Sequence, residues 1–251
     1  MRARTVTHPA WLLLVLAGLA QPARAQDDGT RPRTEVAGLL TVTTKGISTI
    51  PSFTLGKPAV IADVSIARRG LSFEPQFRFG LDGKPWSFLF WGRYRLHEGE
   101  RLHVEVGAHP ALNFRATQVS IRGAPREVIV ARRYLAGELS PSYSLSRSVN
   151  VGTYYLYSYG VEEDVTKHTH FLALRANLTT VGLPAQYVAR FTPQVYYLRT
   201  DDRDGTYLNA GLTLSRRNLP VSVSTTVNRT IRTSVAGDDV LWNVNLHYAI
   251  R

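Results

Sequence analysis

The sequence predicts an all-β protein, an antiparallel up-and-down transmembrane β-barrel of about twelve strands, within a range of about ten to fourteen. Four observations predict it. From Glu35 onward, apolar residues recur with a period of two, not the 3.6 of a helix. The alternating runs often reach roughly ten residues, where strands of soluble sheets average about 5–6. Their polar faces are rich in small uncharged residues and Arg, with little Lys. Aromatics gather near the run ends, at Trp86, Tyr94, Tyr134, Tyr143, Tyr157, Tyr159, Tyr187, Tyr197, Trp242 and Tyr248, as in an interfacial girdle.

The N-terminal segment sets the expected address. Arg2 and Arg4 precede an apolar run over 11–20, and Ala23-Arg24-Ala25 gives a small-x-small cleavage pattern. Residues 1–25 are therefore read as a signal peptide, too short in the apolar part to span a bilayer. Residues 26–34 are read as a periplasmic tail and 35–251 as the barrel, in the cell outer membrane. The chain contains no cysteine, so stability rests on burial and strand pairing. Its net charge is +11; without Arg2, Arg4 and Arg24 of the signal segment, which holds no acid, it is +8. Such a balance suits an anionic solute or acidic lipid. Nucleic acid is not an expected partner, since no Lys/Arg run exceeds two residues and no binding motif is present.

The strands follow in order, near 35–44, 59–67, 70–81, 85–97, 100–109, 128–145, 148–160, 167–179, 186–198, 205–216, 219–230 and 240–250. The third and fourth form the clearest hairpin. Leu71, Phe73, Pro75, Phe77 and Phe79 share one face against Ser72, Glu74, Gln76 and Arg78. After the Asp82-Gly83 turn signal, Trp86, Phe88, Phe90 and Tyr94 share a face against Ser87, Arg93 and Arg95. Later runs repeat the pattern, for example Leu135, Leu139 and Tyr143 against Glu138, Ser140 and Ser142. The last run alternates Trp242, Val244, Leu246 and Tyr248 with Asn243, Asn245 and His247, an aromatic-bearing strand suited to barrel-assembly machinery. Residues 110–127 either extend a strand or fill a loop. A soluble sandwich or lipocalin-like barrel also alternates, and strand length, face chemistry and girdle separate the membrane reading from it.

With the N-terminus on the periplasmic side, the periplasmic connections are short and the external ones (45–58, 82–84, 110–127, 161–166, 200–205 and 232–239) mostly longer. Three external connections carry acid clusters, and lipopolysaccharide and other outer-membrane lipids are the expected partners. Gly46-Ile47-Ser48-Thr49-Ile50-Pro51 with Gly56-Lys57-Pro58-Ala59, Gly83-Lys84-Pro85-Trp86-Ser87-Phe88, and Arg132-Arg133-Tyr134-Leu135-Ala136-Gly137-Glu138 resemble segments of porin-like outer-membrane β-barrel proteins of Gram-negative bacteria. The resemblance covers most of the mature chain. It implies fold and location and no activity.

If the apolar face meets lipid, the charged residues of the other face line a lumen: Asp63, Glu74, Arg78, Arg93, Arg95, His103, Glu105, Arg132, Glu138, Arg175 and Arg190. They are expected to form a constriction selecting small, preferably anionic solutes, as rings of Arg do in pores. The alternative is a network of Arg–carboxylate pairs that braces a plugged, non-transporting wall. The external connection 45–58 bears Ile47, Ile50, Phe53 and Leu55, too apolar to stand in water, and is expected to fold into or across the mouth. Otherwise it forms a further strand pair and raises the count to fourteen. No metal site or cofactor is assigned; the nearest candidate is the pair His168 and His170, read as facing the lipid headgroups with Leu172. The chain carries no hydrolase, metalloprotease or phosphate-loop motif. A barrel enzyme acting on lipids would need a hidden pair such as Ser158 with His168 or His170.

Overall fold

A computed structural model describes residues 33–250, apart from 122, 123, 181, 182, 184 and 185; the signal segment and most of the tail fall outside the described residues. Twelve strands form one closed antiparallel barrel: β1 (Glu35–Thr43), β2 (Ala59–Arg68), β3 (Leu71–Gly80), β4 (Pro85–Glu98), β5 (Leu102–Ile121), β6 (Ala124–Ser144), β7 (Val149–Gly160), β8 (His168–Thr180), β9 (Tyr187–Thr200), β10 (Arg203–Arg216), β11 (Val221–Thr233) and β12 (Val240–Ile250). Each strand pairs with its sequence neighbours. The β1–β12 ladder, from Gly38↔Ile250 to Thr43↔Asn245, closes the cylinder and leaves no free edge in the wall.

The period-two pattern decides which way each side chain looks. Leu71, Phe73, Leu174, Leu208, Val223 and Trp242 are all exposed on the outer surface. Phe77, Phe79, Phe88, Phe90 and Phe114 pack edge-on or tilted in the outer aromatic patch of β3–β5. The opposite parity, which includes Thr41, Asn113, Glu138, Ser158, Asn228 and Asn243, is buried within the cylinder. A polar inside and an apolar outside reverse the arrangement of a soluble barrel. The two-residue connection between β2 and β3 matches its residues: Arg69 (φ 51°) and Gly70 (φ 80°) both take the left-handed conformation that a two-residue hairpin turn with the sheet's own twist requires.

Three local expectations are corrected, and the open alternative at residues 110–127 is resolved in favour of strand extension. Residues 110–121 extend β5 instead of forming a loop, and residues beyond Asn113 pair only with β6, so a two-stranded hairpin projects past the wall. Alternating β-branched residues (Thr117, Val119, Val128, Val130) drive that pairing. Residues 200–205 are not a long loop: only Asp201 and Asp202 separate β9 from β10, and Asp201 (φ 51°) makes the tight turn. Trp86 does not share the outer face with Phe88. A register shift opposite Arg78 and Phe79 turns it inward, where it is buried. Tyr134 is also no girdle residue; it shares parity with Glu138 and lies buried inside.

Candidate functional site: the lumen

Residues 44–58 add no strands. A single 3-10 turn, Pro51–Phe53, hangs from a neck in which the Gly46 N–H donates to the Lys57 carbonyl (2.9 Å) and the Leu55 N–H to the Gly46 carbonyl (2.8 Å). Prolines and glycines at both ends deny the segment a ladder partner and favour this compact form. Its apolar side chains turn into the barrel. Ile50 is buried with Phe171, Ala173, Tyr196, Leu198 and Tyr207 of β8–β10. Phe53 meets Tyr134 edge-on (centroids 4.9 Å), and the Trp86 Nε1–H donates to the Phe53 carbonyl (2.8 Å). Ile47 and Leu55 are half-buried nearer the neck.

The facing wall, β2–β6, is charged. Arg93 is the hub of its first cluster. Its Nε donates to Glu138 Oε1 (2.5 Å) and its Nη1 to Glu74, with Glu105 at 3.8 Å. The guanidinium lies 4.3 Å from the Trp91 ring centroid. Glu138, with a side chain only 2% exposed, also accepts the Tyr154 hydroxyl (2.6 Å). Arg93 and Glu138 sit on β4 and β6, on either side of Gly107 in the ladder. A Cβ on Gly107 would stand 2.8 Å from Glu138 Oε1 and 3.0 Å from Arg93 Cγ. Glycine there is what lets the two side chains meet across β5.

The second cluster is a relay along β3. Arg78 Nε donates to Gln76 Oε1 (2.6 Å), and Gln76 Nε2 donates to Asp63 Oδ1. The Arg78 guanidinium stands 5.0 Å from the Trp86 ring centroid. Arg175, on β8, donates to Ser140 (2.5 Å) and lies over Tyr154 (5.1 Å). Between the charged wall and the inserted loop lies a cavity of about 600 Å³, reached by Asp63, Glu74, Arg78 and Arg93 and also by Ile50 and Phe53.

The ten Asp, Glu and Arg candidates for the lumen do not form one ring. Asp63, Glu74, Arg78, Arg93, Glu105 and Glu138 gather on β2–β6, with Arg175 of the nearby β8 over Tyr154 and bonded to Ser140 of β6. Three others lie away from them. Arg95, at the terminal end of β4, is exposed and pairs with Glu98 three residues on. Arg132 pairs with Asp164 at the opposite rim. Arg190 is exposed near the start of β9. The clusters' aromatic and amide partners, Trp91, Tyr154 and Gln76, carried no charge to mark them in the sequence; their only signal was inward parity, and Trp86, turned inward at a register shift, lacked even that.

The outer rim holds its own pairs. His168 and His170 face outward, where Tyr157 and Tyr155 hydroxyls meet their Nδ1 atoms (2.8 and 2.9 Å). No group of three or more metal-ligating side chains occurs among the described residues. Ser158 faces the interior and pairs in the ladder with Thr169, so the wall separates it from both histidines and the Ser–His pair does not form. Lys57, donating at 2.5 Å, holds the Asp82 carboxyl below its ordinary range, while the Glu127 carboxylate raises Lys84. A hydrogen bond from Arg133 likewise lowers Glu162. A depressed carboxylate stabilises the fold above its unfolded pKa and stops doing so as pH falls through the folded one. The clasp between Arg133 and the 161–167 loop is thus expected to hold at neutral pH and to release only in acid below the ordinary glutamate range. A spin label at Glu163→Cys is expected to gain mobility there, and Glu162→Gln to show that mobility already at pH 7.

The fold and lumen define a class: a closed, polar-lined barrel with a loop in its bore. No family model matches the chain, and no curated protein matches it in sequence. Among solved structures it is similar to the KdgM porin in complex with disordered oligogalacturonate, with 9% identity, 86% of this chain and 99% of that chain covered, and a TM-score of 0.54. The KdgM porin also matches at 10% identity, with the same coverage and a TM-score of 0.50. An outer membrane channel from Pseudomonas putida F1 matches at 11% identity over 90% of this chain and 99% of that one, with a TM-score of 0.49. At such identities the likeness is one of fold.

Proposed function

We propose that the protein is an outer-membrane channel, a narrow passive path for small polar solutes, with a modest preference for those bearing an anionic group. The observation that carries the proposal is the open cavity of about 600 Å³ between a charged wall and an inserted loop. A purely structural barrel needs no such space, and an apolar belt outside a polar bore suits a bilayer. Charge pairing tempers selectivity. Arg93 is opposed by Glu74, Glu105 and Glu138, so it braces the wall more than it attracts anions. Arg78 and Arg175 make no ion pair among the described residues, and the anion preference rests on them.

Purified protein in planar bilayers is expected to show small discrete conductance steps, with a reversal potential slightly on the anion side under a salt gradient. Arg78→Gln with Arg175→Gln is expected to abolish that offset. Inserted protein that never conducts overturns the channel. The second reading, a plugged barrel, is favoured by one observation, the burial of Ile50 among Phe171, Tyr196 and Leu198; it predicts silence from the intact barrel alone.

A further inference from the structure

We propose that the lumen cavity contains a binding site for small zwitterionic solutes of amino-acid size, with Arg78 meeting the anionic group and Asp63 the cationic one. It deepens the channel reading, on which it rests for the solute's route. Asp63, Glu74, Arg78 and Arg93 all line the cavity. Glu74 and Arg93 are joined to each other, and Arg93 is held further by Glu138. Arg78 and Asp63 remain.

These two do not pair. Gln76 stands between them, its carbonyl taking Arg78 Nε and its amide donating to Asp63 Oδ1. Gln76 faces Asp63 directly across the β2–β3 ladder, so Arg78, two residues further on, is the diagonal neighbour of Asp63. Such neighbours are roughly 7–8 Å apart. The spacer commits its own polar atoms and keeps opposite charges separate. Arg78 Nη1 and Nη2 and Asp63 Oδ2 make no hydrogen bond among the described residues. The Trp86 ring holds the guanidinium in place by a cation–π contact.

A second observation marks the same place. Ser87 lies directly opposite Arg78 in the β3–β4 ladder and lines the cavity. Its Oγ is buried and has no hydrogen-bond partner among the described residues. Asn113, the next partner in the ladder, is buried too, and its side chain makes no hydrogen bond among them. Buried polar groups are normally satisfied, so an orphaned hydroxyl beside a free guanidinium edge points to a polar ligand. Arg78, Ser87 and Asn113 thus present a row of donors to an anionic group. A simple anion there would leave Asp63 unmet and face repulsion from Asp63 and Glu74; a simple cation would leave Arg78 unmet. A solute carrying both charges satisfies both and leaves the cavity's balance unchanged.

The test is ligand-observed saturation-transfer NMR on the full barrel in detergent micelles at neutral pH, with β-alanine, propionate and propylamine as size-matched probes. β-Alanine is expected to bind at least about tenfold more tightly than either singly charged probe, and to weaken by about tenfold in Arg78→Gln and in Asp63→Asn. Ser87→Ala is expected to weaken it less, and Arg190→Gln to leave it unchanged. Heat-modifiable migration on gels verifies folding. If Arg78→Gln does not fold, Asp63→Asn decides alone, and unchanged β-alanine affinity overturns the proposal. Propionate binding as well as β-alanine reduces the site to a plain anion site and also overturns it. Conductance is read separately: a barrel that conducts without binding β-alanine removes the site and keeps the channel, and one that binds without conducting does the reverse.

Discussion

Deletion of residues 48–54 is expected to raise single-channel conductance several-fold. The segment removed carries Ile50 and Phe53, which pack against the inner wall at Phe171, Leu198 and Tyr134. The neck at Gly46, Leu55 and Lys57 stays behind. No strand-to-strand register pair lies within the deleted residues, so the ladders of β1 and β2 remain intact. The deletion also bares Phe171, Tyr196 and Leu198 to the lumen, a loss comparable to truncating a buried side chain, about 2–5 kcal/mol. Urea unfolding followed by tryptophan fluorescence measures that cost, and planar bilayers measure the conductance. The two readings of the barrel part here. A channel conducts before the deletion and more after it; a plugged wall conducts only after. A folded deletion variant with native conductance would show that the loop does not limit passage at all.

Most of the wall was legible in the sequence because one rule governs it. A strand that separates lipid from lumen must alternate, and Leu71 to Phe79 or Trp242 to Tyr248 do so without a break. The aromatic, Trp86, that broke from its neighbours did so at a register shift, which no local pattern announces. The hairpin beyond Asn113 was obscure for the opposite reason. Its two strands have no neighbour to impose one buried face, so apolar and polar residues mix on both sides. Lumen parity could be read residue by residue, but partnership could not. Arg93 and Arg95 are two positions apart and look equivalent; one meets carboxylates from β3, β5 and β6 and the other only Glu98 on its own strand. That difference depends on depth along the bore and on a glycine, Gly107, which pairs with Arg93 from the neighbouring strand and lies outside either arginine's own sequence context.

Glu138 carries the largest single-residue effect expected on stability. Its carboxylate, almost wholly buried, accepts from Arg93 and from the Tyr154 hydroxyl, linking β4, β6 and β7. Breaking a buried pair by removing one partner costs about 3–5 kcal/mol. Arg93 keeps Glu74, with Glu105 near, so Glu138→Ala is expected at the lower end, about 3 kcal/mol. Glu138→Gln preserves shape and an acceptor for Tyr154 and is expected to cost less, about 1–3 kcal/mol. Because both side chains belong to one network, Glu138→Ala with Arg93→Ala is expected to cost less than the two losses added together, with a coupling of about 0.5–3 kcal/mol in urea unfolding. The same substitution carries an electrical signature that simple loosening lacks. Removing Glu138 frees part of the Arg93 charge, so a folded Glu138→Gln barrel is expected to shift its reversal potential further towards the anion side. Additive unfolding costs, or an unmoved reversal potential, would mean that Arg93 is held by Glu74 alone and that Glu138 serves Tyr154.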